Sequence, residues 1–132
     1  MTPVEFDTAL QRLRPNSVDF QLQVDDLIGC VDRAFNNALV NFVFDFFERY
    51  PNEDLGSPGG LVHFVERSYP EYKARLLFSL RKAPSLSVVW MTNRILNAAW
   101  NRWNASNTWQ PLDLFRGTFV RTLGSGRPLR AF

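Results

Sequence analysis

The chain has 132 residues, 45 % of them hydrophobic and 21 % charged, with twelve Phe, four Trp and a formal net charge of +2. That is enough chain and enough apolar mass for one buried core without staples, and the ordinary charged content argues against intrinsic disorder. The single Cys30 excludes an internal disulfide, and no apolar run approaches the ~20 residues that span a bilayer.

The opening Thr2-Pro3-Val4-Glu5 predicts a helix start, with Thr2 as cap, Pro3 at the first helical position and Glu5 completing a capping box. Val4, Phe6, Ala9, Leu10 and Leu13 make that helix amphipathic, and Pro15 stops it. Val18, Phe20, Leu22 and Val24 alternate with polar residues, and no second strand exists to pair with them. The segment is therefore either an extended lead-in or a helix that begins early.

From Val24 to Tyr50 the chain contains no proline and is stopped by Pro51. Leu27, Val31, Phe35, Ala38, Phe42, Phe46 and Tyr50 recur at helical spacing. One long, apolar central helix over about 24–50 is expected, with Cys30 as a small buried hydrophobe and Gly29 allowing a close helix crossing.

Pro51–Gly60 reads as a loop carrying Glu53 and Asp54, with Ser57 capping a short helix from Pro58 to about Ser68. A further helix starts at Pro70 and ends at Pro84, with Tyr72, Leu76, Leu77 and Leu80 inward. Ser85 opens a second long helix. Val88, Val89, Met91, Ile95, Leu96, Ala99, Trp100 and Trp103 form its apolar side, and Trp90, Arg94, Asn97 and Asn101 the opposite stripe. Pro111 begins a last helix, and residues 124–132 form a basic tail expected to be mobile apart from Leu129 and Phe132. The expected architecture is a single all-α domain over 1–132, with five or six helices around the central one. No basic-then-apolar leader opens the chain, so a soluble, cytoplasmic protein is expected.

The inventory for chemistry is short. His63 is the one histidine, and its spacing to Glu66 is that of an ordinary helix-face pair. No serine, cysteine or second histidine completes a nucleophile system around it. One Cys and one His cannot build a zinc site, and no calcium-loop pattern occurs. Gly56–Gly60 lacks the lysine and the spacing of a phosphate loop. Asp45, four residues before Arg49, is expected in a helix-surface ion pair. No enzyme activity, cofactor or metal is expected.

Charge is the stronger signal. Residues 1–66 carry eleven Asp and Glu against four Arg, a balance of −7. Residues 67–132 carry eleven Lys and Arg against Glu71 and Asp113, a balance of +9. Either the halves pack together and neutralise, or an acidic and a basic face steer partners of opposite charge. The basic half interleaves arginines with Trp90, Trp103 and Trp109, a combination suited to phosphate contact and base stacking. The arginines scatter over four helices, however, and no DNA-reading motif is present. Trp90 and Arg94, one turn apart, could stack and anchor an interface.

Gly59-Gly60-Leu61-Val62-His63-Phe64-Val65-Glu66, Tyr69 to Tyr72, Leu76 to Leu80, Pro84 and Val89-Trp90-Met91-Thr92-Asn93-Arg94 together cover about a third of the chain. This pattern resembles small all-helical bacterial immunity proteins, encoded beside polymorphic or contact-delivered toxins. Val88 departs from it, standing where a polar residue precedes the Val-Trp pair. The resemblance implies a protein that binds a cognate toxin and blocks it, without a reaction of its own. Its partner surface is expected at Glu48, Glu53 and Asp54 or at Trp90 and Arg94. The alternatives are a nucleic-acid-binding or regulatory protein acting through the basic half, or a phage or viral helical inhibitor of a host complex.

Overall fold

A computed structural model describes residues 1–106 apart from Ser57, with side chains described as far as Arg102. Six α-helices and one 3-10 turn account for all regular structure among the described residues, which contain no strand. The chain divides after Thr92 into two units, and each is taken by itself. No described helix is long and apolar enough to cross a membrane.

Helix α1 spans Pro3–Arg12. The Glu5 backbone N–H donates to Thr2 Oγ1 at 3.3 Å and the Thr2 N–H returns a bond to Glu5 Oε2 at 2.7 Å, closing the expected capping box. Helix α2 spans Phe20–Gly29, so the alternating segment is a helix that begins early. Its period-2 pattern of apolar residues is resolved by burial: Phe20, Val24 and Leu27 face inward, while Val18 and Leu22 stand in solvent.

The single helix expected over 24–50 is interrupted. α2 stops at Gly29, Asp32 is extended, a 3-10 turn occupies Arg33–Phe35, and α3 runs from Asn36 to Arg49. The cause is local chemistry. The Asp32 carboxylate takes the backbone N–H of Ala34 at 3.0 Å, offering the chain a cap in place of helix continuation. Gly29 adds a helix penalty of about 1 kcal/mol relative to alanine. The apolar stripe is broken accordingly: Phe35 is 41 % exposed and Ala38 lies in solvent. Cys30 is exposed rather than buried. Gly29 makes no close crossing, since a Cβ there would meet no atom within 4 Å.

α3 is nevertheless the element the others surround, packing against α1, α4 and α5, while α2 lies on α4 and α1. Leu39, Val40, Val43, Phe44, Phe46 and Phe47 of α3 are all buried. Phe44 and Phe47 meet edge to face at 5.8 Å, Phe46 stacks with Phe20 at 6.2 Å, and Phe6 stacks with Phe64 at 5.8 Å. Each such pair contributes about 0.5–1.5 kcal/mol beyond its buried area.

Helix α4 spans Gly60–Glu66 and buries Leu61, Val62, Phe64 and Val65. Its expected cap, Ser57, lies outside the described residues. Helix α5 spans Lys73–Lys82, starting three residues after the expected Pro70 because residues 67–72 form a turn. Helix α6 spans Leu86–Ser106. Ser85 Oγ accepts the Val88 N–H at 3.3 Å, as a cap should, and the Leu86 N–H donates to the Pro51 carbonyl at 2.9 Å. Within the first unit, Val88 and Met91 are buried while Val89 is 50 % exposed, against the expectation that it faces inward. Within the second unit, Ala99 is buried and Trp100, also expected inward, is 42 % exposed. The helix expected from Pro111 and the basic tail lie outside the described residues.

Candidate functional site

Glu48 occupies the last turn of α3, facing α5. Its Oε1 accepts from Arg75 Nη1 at 2.7 Å and from Ser79 Oγ at 2.6 Å, and its Oε2 from Lys82 Nζ at 3.1 Å. Arg75 also donates to Ser79 Oγ at 2.7 Å and, through Nη2, to Asp45 Oδ1 at 2.7 Å. Asp45 therefore pairs with a residue of another helix rather than with Arg49. The Glu48 side chain is only 10 % exposed. Burial pushes its carboxyl pKa up, but the bonds from Ser79, Arg75 and Lys82 outweigh that and hold it at about 2. This closed ionic cluster clamps α5 to α3.

Glu53 and Asp54 are exposed on the loop between α3 and α4. The loop is tightly held. Asp54 Oδ1 accepts the Gly56 N–H at 2.9 Å, Leu55 is buried, and the Leu55 carbonyl accepts from Gln21 Nε2 of α2 at 2.8 Å. Gly56 has φ +100°, and a Cβ on Gly59 would sit 2.1 Å from the Leu55 carbonyl oxygen. These glycines allow a close backbone approach instead of supplying slack.

Trp90 is half-buried in the first unit, and Arg94 is exposed in the second. The basic residues offered for phosphate contact are partly committed elsewhere: Arg75 and Lys82 serve Glu48, and Lys73 Nζ lies 4.6 Å from the Tyr69 ring centroid. Arg116, Arg121, Arg127 and Arg130, with Trp109, lie outside the described residues. His63 Nδ1 stands 3.5 Å from Glu66 Oε2, the helix-face pair its spacing implies. Among the described residues no group of three His, Cys, Asp or Glu could hold a metal ion. A groove of about 110 Å³ between α1 and α3 is lined by Asp7, Gln11, Phe42, Asp45 and Arg49, among others. It falls short of the ~300 Å³ at which small-molecule sites begin.

Sequence reasoning passed over the outward side of α2. Asp19, Asp25 and Asp26 are exposed there, beside Leu22 at 62 % exposure. The available signal was that residues 15–32 contain four Asp and no Lys or Arg. No protein-family model matches the chain, and no curated protein or solved structure matches it.

Proposed function

We propose that the protein is a non-catalytic, immunity-type inhibitor that acts in the cytoplasm by binding and neutralising a cognate protein toxin or effector. The observation that carries this reading is the loop segment 53–56, where Glu53 and Asp54 are exposed on a backbone held by Gln21 and by the Asp54–Gly56 turn. Carboxylates on a preorganised loop bind a partner at a smaller ordering cost and accelerate encounter with a cationic surface. Toxins that attack nucleic acids are commonly basic, which gives such a surface a natural target. Glu48, engaged by three α5 groups, serves as the frame of this interface, with Trp90 and Arg94 as the alternative surface.

The test is co-expression with the product of the adjacent gene. Growth arrest by that product alone, relieved by this chain, and a complex that survives purification are the expected results. A harmless neighbour, or no complex, ends the reading. Glu53→Lys, which leaves the Asp54–Gly56 turn in place, is expected to slow association and to weaken protection while leaving the fold intact.

A further inference from the structure

Helix α2 buries Phe20, Val24 and Leu27 and turns the opposite side to solvent. Leu22 is 62 % exposed there, and Val18, in the turn that precedes the helix, is fully exposed. Asp19, Asp25 and Asp26 surround them, all exposed. No Lys or Arg occurs between Pro15 and Asp32, nor between Tyr50 and Glu66.

Two features set this side apart from an ordinary solvated helix face. Asp25 and Asp26 lie in the second half of α2, whose last turn has no basic residue. Carboxylates near the carbonyl end of a helix are repelled by its dipole, so their placement works against stability. In addition, the surface is continuous with the acidic loop. The Gln21 side chain bonds the Leu55 carbonyl, and Asp25 Oδ1 lies 2.9 Å from where a Gly60 Cβ would stand.

We infer that the outward side of α2 is a docking surface for a cationic protein partner. Leu22 is its apolar anchor, and Asp19, Asp25 and Asp26 supply the charge that selects the occupant. The inference rests on the inhibitor reading above and adds a second surface, with an apolar anchor, to it. Charge complementarity decides the occupant. Six carboxylates (Asp19, Asp25, Asp26, Asp32, Glu53 and Asp54) stand on two segments that contain no Lys or Arg. They repel a nucleic acid and attract a Lys- or Arg-rich protein surface. An exposed leucine within such a field converts a steered encounter into a desolvated contact.

The experiment has two arms, each run on the full chain and on the variants Asp25→Lys/Asp26→Lys and Leu22→Ser, with circular dichroism confirming the fold. In the first, an amphipathic lysine–leucine peptide is titrated into isotopically labelled protein and followed by NMR. Shifts confined to residues 18–29 and 53–56, abolished by the charge reversal and by raised salt, are expected. Shifts elsewhere, or none at low salt, overturn the surface. In the second, the inactivated product of the adjacent gene is titrated by calorimetry. The charge reversal is expected to weaken binding by about a hundredfold and Leu22→Ser by about tenfold. Equal binding by wild type and variants overturns the α2 surface and leaves the inhibitor reading standing. No binding by either, with peptide shifts still on α2, removes the toxin as partner and keeps the cationic chemistry. Self-association of the wild type that the charge reversal abolishes overturns the inference in favour of a second copy.

Discussion

Arg75 spans two carboxylates of α3, reaching Glu48 Oε1 through Nη1 and Asp45 Oδ1 through Nη2, each at 2.7 Å. One guanidinium from α5 thereby grips α3 at positions three residues apart, and Ser79, fully buried, closes the ring by bonding both Arg75 and Glu48. The planar fork of arginine suits this geometry in a way that lysine does not.

Removing Glu48 takes one of two carboxylates from Arg75 and the acceptor from the buried Ser79 hydroxyl. Glu48→Ala is expected to cost about 2–4 kcal/mol at neutral pH, somewhat below a fully buried pair because Lys82 remains solvated. Glu53→Ala, on the exposed loop, is expected to stay within about 0.5 kcal/mol of wild type. Urea denaturation of both variants checks the contrast, and similar losses would contradict the internal role of Glu48.

The same cluster sets a pH dependence. The Glu48 carboxyl is ionised in the folded protein down to about 2, against an ordinary value of 4.5. Its stabilisation is complete above the unfolded value and is lost as pH falls from there through the folded one, because the unfolded chain takes up the proton first. The stability gap between wild type and Glu48→Gln is therefore expected to close between roughly pH 4.5 and 2, by on the order of 2 kcal/mol. A gap that persists at pH 2 would show that packing, and not charge, fixes α5.

Two glycines are expected to respond in opposite directions. Gly29 ends α2 with open space where a Cβ would go, so Gly29→Ala is expected to stabilise by about 0.4–1 kcal/mol. At Gly59 a Cβ would meet the Leu55 oxygen at 2.1 Å, so Gly59→Ala is expected to cost about 2 kcal/mol or more and to displace Glu53 and Asp54. Thermal melts of the two variants give the signs.

Cys30, exposed just past the end of α2, is expected to react with Ellman's reagent in the native protein as readily as in denaturant. A native thiol that reacts only on unfolding would place it back in the core.

What the sequence made legible was local. Thr2, Pro3 and Glu5 announce α1, Pro51 ends α3, and Ser85 caps α6, because capping and proline chemistry act within a few residues. The run of apolar residues in 36–49 marked the element that the others surround. The break at 30–32 was hidden because apolar spacing continues across it, while a single Asp32 side chain decides where the backbone N–H groups go. The Glu48 cluster was hidden for a different reason. Its partners lie 27, 31 and 34 residues away, and a linear pattern shows only neighbours at three and four. Asp45 and Arg49 looked like a pair at that short range, yet Asp45 turned to a better fork. The outward side of α2 is hidden in the sequence because a period of two fits an extended lead-in as well as a helix, and only burial separates the inward Phe20 and Val24 from the solvated Leu22.

The interruption after Gly29 also separates two kinds of mutational freedom. With α2 ending before the turn that leads into α3, positions 19, 22, 25 and 26 can be randomised while Phe44, Phe46 and Phe47 stay untouched. A library built on those four positions should remain folded across most of its members, so recognition can be re-aimed at new partners on an unchanged scaffold.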